Sequence, residues 1–159
     1  MQRMILAGLS LAGLIAVTAL TVIVADTPRA QAHCQVPCGI YDDPARIAHL
    51  REDAQTIEKA SKLIQELAGK HDPIAFNQAA RWVRTKEDHA SHIIEVVAQY
   101  FLTQKVKPVA KGSAGYDAYL AKLADHHAVM SAAMKCKQNV DTSYVTALRK
   151  AIDQLATHY

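Results

Sequence analysis

The stretch DDPARIAHLREDAQTIEKASKLIQELAGKHDP, residues 42–73, decides the fold. Asp43 offers a side-chain acceptor where a helix starts, and Pro44 suits the first helical position because its missing N–H has no partner to lose. Ile47, Leu50, Ala54, Ile57, Ile64 and Leu67 then recur at helical spacing, which predicts one apolar stripe along a long helix. Gly69 ends it, and Asp72-Pro73 repeats the start signal almost at once. So short a connection between two amphipathic helices favours an antiparallel pair.

The same pattern continues outward. Phe76, Ala80, Val83, Ala90, Ile93, Ile94, Val97 and Phe101 carry the stripe of a second, longer helix, and Pro108, Gly112 and Gly115 break the chain into a loop. A third helix is expected through Tyr116, Leu120, Leu123, His127, Met130 and Met134. Asp141 and Thr142 can cap a fourth, with Val145, Leu148, Ile152 and Leu155 inside. No segment alternates like a strand, and there is no internal repeat. The expectation is an all-α, antiparallel four-helix bundle over residues 43–159. Met side chains at stripe positions and Trp82 read as core and core edge. Of His126 and His127, adjacent on a helix, one should be semi-buried and the other solvated.

The 159-residue chain carries a formal charge of +3, too little for a nucleic-acid partner, and Lys105, Lys107 and Lys111 read as a solvated loop. Its beginning reads as a secretory leader. Arg3 gives a positive start, Ile5 to Ala25 is almost wholly apolar, and Ala30-Gln31-Ala32 has the small-x-small form of a cleavage site. The apolar stretch is also long enough for an uncut membrane anchor, but the Ala30-Gln31-Ala32 triplet favours cleavage. Residues 1–32 are therefore read as a leader and 33–159 as the mature domain. The product would be exported, periplasmic or extracellular, or cytoplasmic if the leader is only a pro-segment.

Cleavage after Ala32 gives His33-Cys34-Gln35-Val36-Pro37-Cys38-Gly39-Ile40-Tyr41 a special position. Two cysteines at this spacing alone could form a disulfide. At a new amino terminus, however, five donors crowd together: the α-amine and imidazole of His33, the amide nitrogen of Cys34, and two thiols. Amine, amide and the Cys34 thiolate close small chelate rings, and a turn at Pro37-Gly39 returns Cys38. Two nitrogens and two sulfurs in a plane suit Ni(II) or Cu(II) and not tetrahedral Zn(II). Thiolates tend to reduce Cu(II), which favours nickel. The third cysteine, Cys136, stands apart as a bystander.

The run His-Cys-x-x-Pro-Cys-Gly-x-Tyr at a processed terminus resembles the nickel hook of the nickel-containing superoxide dismutases, as do the Asp-Pro helix start and the four-helix body. The resemblance implies a hook, 33–41, in which His33, Cys34 and Cys38 ligate one nickel ion per subunit. The imidazole of His33 would be the axial ligand, and Tyr41 would lie over the open face. It implies an oxidoreductase converting superoxide to dioxygen and hydrogen peroxide by Ni(III)/Ni(II) cycling, a leader peptidase for maturation, and a homohexamer. Two departures stand out. Gln35 replaces an aspartate common in better-known members. Those members also support the axial imidazole with a glutamate on the first helix and an arginine on the second, near whose expected position His89 falls here.

Two other classes compete. A di-iron bundle needs Glu-x-x-His motifs, and no Glu of this chain has a His three residues later. His89, His92 and Glu95 share helical spacing and read as an exposed polar face. The second alternative is an exported, non-enzymatic nickel or copper chelator using the same hook. If the His33 amine is a ligand, the active chain begins at His33. Intact-mass analysis of the active species should show no chain that retains Ala32.

Overall fold

A computed structural model describes residues 43–159. The leader and the hook, with His33, Cys34, Cys38 and Tyr41, lie outside the described residues. Four helices follow in order: α1 (Asp43–Ala68), α2 (Pro73–Glu95), α3 (Tyr116–Gln138) and α4 (Thr142–Ala156). Beyond Glu95, α2 runs on into a wider, π-helical segment, Val96–Lys105. Among the described residues there is no strand, and no helix is long and apolar enough to cross a membrane.

The starts are those the sequence signals. Asp72 accepts from the Ala75 amide at 2.8 Å with Pro73 beside it, and Asp141 accepts from the Ser143 amide at 2.8 Å. Gly115 precedes α3 at φ +87°, a conformation open to glycine at little cost. Helix α1 begins at Asp43 itself, whose carboxylate is engaged elsewhere.

Side-chain pairs show the antiparallel register directly. Between α1 and α4, Arg51 meets Asp153 at 2.9 Å and Glu58 meets Arg149 at 2.6 Å. Further along, Gln65 donates to the Val140 carbonyl. Between α1 and α2, Asp43 meets Tyr100, Asp53 meets His89, and Lys59 lies over Trp82. Helix α2 in turn meets α3 through Lys86 and the Cys136 carbonyl and through Phe101 and His126. Helix α4 closes the ring on α3 where His158 and Gln154 reach Asp125.

The core is the shared interior: Leu50, Ala54 and Ile57 of α1, Ala90, Ile93, Val97 and Phe101 of the α2 run, Val129 and Ala133 of α3, and Leu148, Ile152 and Leu155 of α4. The predicted stripes of α1 and α4 hold, with Ile64 and Leu67 only half-buried. Two expectations fail. At the start of α2, Phe76, Ala80 and Val83 are exposed, Phe76 by 79%. The register explains this: Lys86 already sits at the end of α3, so the earlier turns of α2 have no α3 beside them. In α3 the buried residues are His126, Val129, Ala133 and Cys136, while Leu120, His127 and Met134 are exposed. That helix has apolar residues on every side, so its own periodicity does not choose a phase, and its neighbours do.

Lys86 is the core's one buried lysine among the described residues. Its ammonium donates to the Cys136 carbonyl at 2.6 Å and the Lys137 carbonyl at 2.5 Å. These are end-of-helix acceptors that lack partners within α3, so the lysine satisfies itself and closes the helix. Leu148→Ala, which empties a fully buried site, should cost about 2–5 kcal/mol in denaturant unfolding. His127→Ala, on the exposed face of α3, should stay within about 0.5 kcal/mol.

Candidate metal centre

The candidate hook, 33–41, immediately precedes Asp42 and Asp43 in sequence, so the end of the bundle holding Asp43 is the end from which that segment departs. Cys38 precedes Asp43 by five residues, and a fully extended chain of that length spans no more than about 18 Å. The antiparallel order brings the start of α1, the end of the α2 run, the first half of α3 and the end of α4 together here.

Three layers of polar chemistry occupy this end. Outermost, Asp43 Oδ1 accepts from the Tyr100 hydroxyl at 2.7 Å and pairs with the Lys105 ammonium at 2.9 Å. Burial, then the Asp43 carboxylate, raises the Tyr100 pKa, and the hydrogen bond to Asp43 raises that of Lys105. Tyr100 therefore stays a neutral donor and Lys105 a cation at neutral pH. Arg46 and Lys105 each lie 5.3 Å from the Tyr100 ring centre, within cation–π range.

Below this, Phe101 is fully buried and meets Tyr100 edge-on at 5.1 Å and Tyr159 at 4.5 Å. Deeper still, His126 is fully buried. Its Nδ1 lies 2.6 Å from the Lys122 carbonyl, which can only accept, so Nδ1 carries the proton. Nε2 of the neutral ring then accepts from the Tyr159 hydroxyl at 2.8 Å. Burial holds the His126 pKa below the ordinary imidazole value, and burial raises that of Tyr159. Beside them, Asp125 pairs with His158 at 2.7 Å, which lowers the Asp125 pKa. Lys122 covers the Tyr159 ring at 4.2 Å.

The His89–His92 face is not simply exposed polar surface. The Nδ1 atoms of His89 and His92 each donate, at 2.6 Å, to a different oxygen of Asp53, a carboxylate only 7% exposed on α1. His89 thus has an acidic partner on the first helix, but the three groups bind one another. Among the described residues no group of three or more His, Cys, Asp or Glu side chains is arranged to hold a metal. Cys136 is buried, and desolvation pushes its thiol up to about 11.

Sequence reasoning overlooked Asp53, Lys86, Tyr100 and Tyr159, and it read Lys105 as part of a solvated loop, whereas Lys105 ends the π-helical segment and pairs with Asp43. Asp53, Lys86 and His126 carried a usable signal, because each falls on the same helical phase as buried apolar neighbours. Tyr100 and Lys105 did not, because they are five residues apart and an ordinary helix would separate them.

The family model described as nickel-containing superoxide dismutase matches residues 28–159, a span taking in the hook segment and all four helices. Neither the curated proteins nor the solved structures contain a match.

His126 gives a pH prediction. Its folded pKa lies below its unfolded value, so its contribution to stability is complete above about pH 6.5 and is lost as pH falls toward the folded value. Unfolding free energy should decline as pH falls below about 6.5. His126→Gln should flatten that decline, since the lowered carboxylates, Glu58, Asp125 and Asp141, titrate further into acid.

Proposed function

This chain belongs to the nickel-containing superoxide dismutases, and from that premise we propose that His33, Cys34 and Cys38 hold the nickel at an amino terminus made by cleavage after Ala32. The enzyme is a nickel-dependent oxidoreductase whose substrate is superoxide. The observation that carries the ligand assignment is that the family match runs through the hook sequence as well as the bundle.

The donor chemistry fits the ion. Amine and amide nitrogens with two thiolates would make a donor set that suits nickel, and the electron-rich sulfurs would favour the higher oxidation state. When bound, nickel would supply the one-electron Ni(III)/Ni(II) couple by which two superoxide ions and two protons become dioxygen and hydrogen peroxide. His33 would provide its amine and an imidazole for the oxidised ion. Cys34 would provide amide and thiolate, and Cys38 the second thiolate. Tyr41 would limit access to small molecules. The bundle adds Arg46, Lys105 and Lys122 at the hook end, and positive side chains there favour the approach of a small anion.

Export through a cleaved leader, removed by a leader peptidase, and a homohexameric assembly complete the reading. Exposed Ile74 and Phe76, at 75% and 79%, are apolar surface that assembly would cover.

Cys34→Ser and Cys38→Ser should each bring bound nickel and superoxide turnover to background, because a hydroxyl is a poor substitute for a soft thiolate. Cys136→Ser should keep both. His33→Gln with a correctly cut terminus should keep nickel but lower turnover, measured by pulse radiolysis, by about tenfold or more. A wild-type protein that binds nickel without superoxide-dependent turnover would be a chelator and would overturn the proposal.

A further inference from the structure

The π-helical segment has a specific consequence at the root of the hook. Tyr100 and Lys105 both reach the same oxygen of Asp43, at 2.7 and 2.9 Å. In an α-helix of 3.6 residues per turn, positions five apart point roughly 140° away from each other. Here the backbone bond from Val106 N–H to the Phe101 carbonyl, at 3.0 Å, spans five residues. The Thr103 hydroxyl also donates five residues back, to Ala98 at 2.8 Å, as does the Gln104 amide, to Gln99 at 3.1 Å. Hydrogen bonding at this spacing brings residues five apart onto one face. The widened turn is what allows the aromatic donor and the cation to converge on one carboxylate.

That carboxylate belongs to the first residue of α1, with only Asp42 between it and Tyr41. Asp43 also sits where the positive end of the helix dipole favours an acid. Its two donors are well founded. Tyr100 is 9% exposed and braced by Phe101, which packs on Tyr159, and Tyr159 is bonded to buried His126. A rigid chain of contacts thus leads from the middle of the core to the residue from which the hook departs.

We propose that Tyr100 and Lys105 are positioning residues for the nickel hook. Presented together by the wide turn of Val96–Lys105, they fix Asp43 and so set the direction and slack of the segment that carries the ligands. The proposal rests on the assignment of nickel to His33, Cys34 and Cys38. An ammonium–carboxylate contact that is partly exposed is modest in energy, but a small gain in freedom at the root is felt at every ligand beyond it.

The test uses the full-length, correctly cleaved, nickel-loaded protein. Lys105→Met and Asp43→Asn should each speed nickel loss to an excess of chelator by roughly fivefold and should broaden or shift the electron paramagnetic resonance signal of the oxidised ion. Tyr100→Phe should act in the same direction, and Lys105→Arg should restore wild-type behaviour. Thermal melting is recorded alongside, with release measured well below the transition, so that a purely structural role would lower the melting point and leave both nickel readouts unmoved. Unchanged release and spectrum in Lys105→Met and Asp43→Asn would overturn the positioning role while leaving the ligand assignment intact. A wild-type protein with no nickel at the hook would overturn both.

Discussion

Short connections are the constraint from which the rest of the molecule follows. Gly69–Asp72 and Asn139–Asp141 are too brief to carry the chain back along a helix, so α1 with α2 and α3 with α4 must lie antiparallel. The longer 106–115 loop turns the chain between the two pairs. Once that order is imposed, the start of α1 meets the end of the α2 run and the end of α4. Asp43, Tyr100, Lys105, His126 and Tyr159 become neighbours, although they span most of the described chain.

That meeting point is built unlike the rest of the interior. Most of the bundle core is aliphatic, held by burial alone. At the hook end, aromatic rings alternate with paired polar groups: carbonyl to imidazole, imidazole to phenol, carboxylate to ammonium. A buried group left without a partner would cost more than a hydrogen bond returns, so this pairing holds these side chains in one arrangement. Apolar packing gives stability with some latitude in position. A paired polar network gives position, which is what a metal-bearing segment needs from its support.

The division of labour between segment and bundle is correspondingly sharp. In the proposed assignment the nickel donors fall in the first residues after the leader, and the bundle supplies a root for them and positive side chains near it. The buried Cys136, with its thiol pushed up to about 11 by desolvation, is chemically quiet beside the hook thiols. The Asp53 bridge to His89 and His92 ties α1 to α2 midway. It gives His89, which falls near the position where the resemblance implies an arginine, an acidic partner on the first helix, but the three groups are turned toward one another.

The sequence by itself determined the helical class and the element starts, and it carries the donor set proposed for the hook. Each of these is local: capping residues act within a turn, amphipathic stripes within one helix, and the donor set within nine residues. The faces of α1 and α4 were legible for the same reason, since their apolar residues lie on one side. Only the tertiary structure decided which side of α3 is buried and why Phe76 stands in solvent, because both depend on where a neighbouring helix ends. It also decided the partners of Asp43, Asp53 and Lys86, since a side chain's partner on another helix is set by register between helices. The convergence of Tyr100 and Lys105 lay furthest from view. It requires a backbone wider than the ordinary helix, and no spacing rule built on 3.6 residues per turn anticipates that.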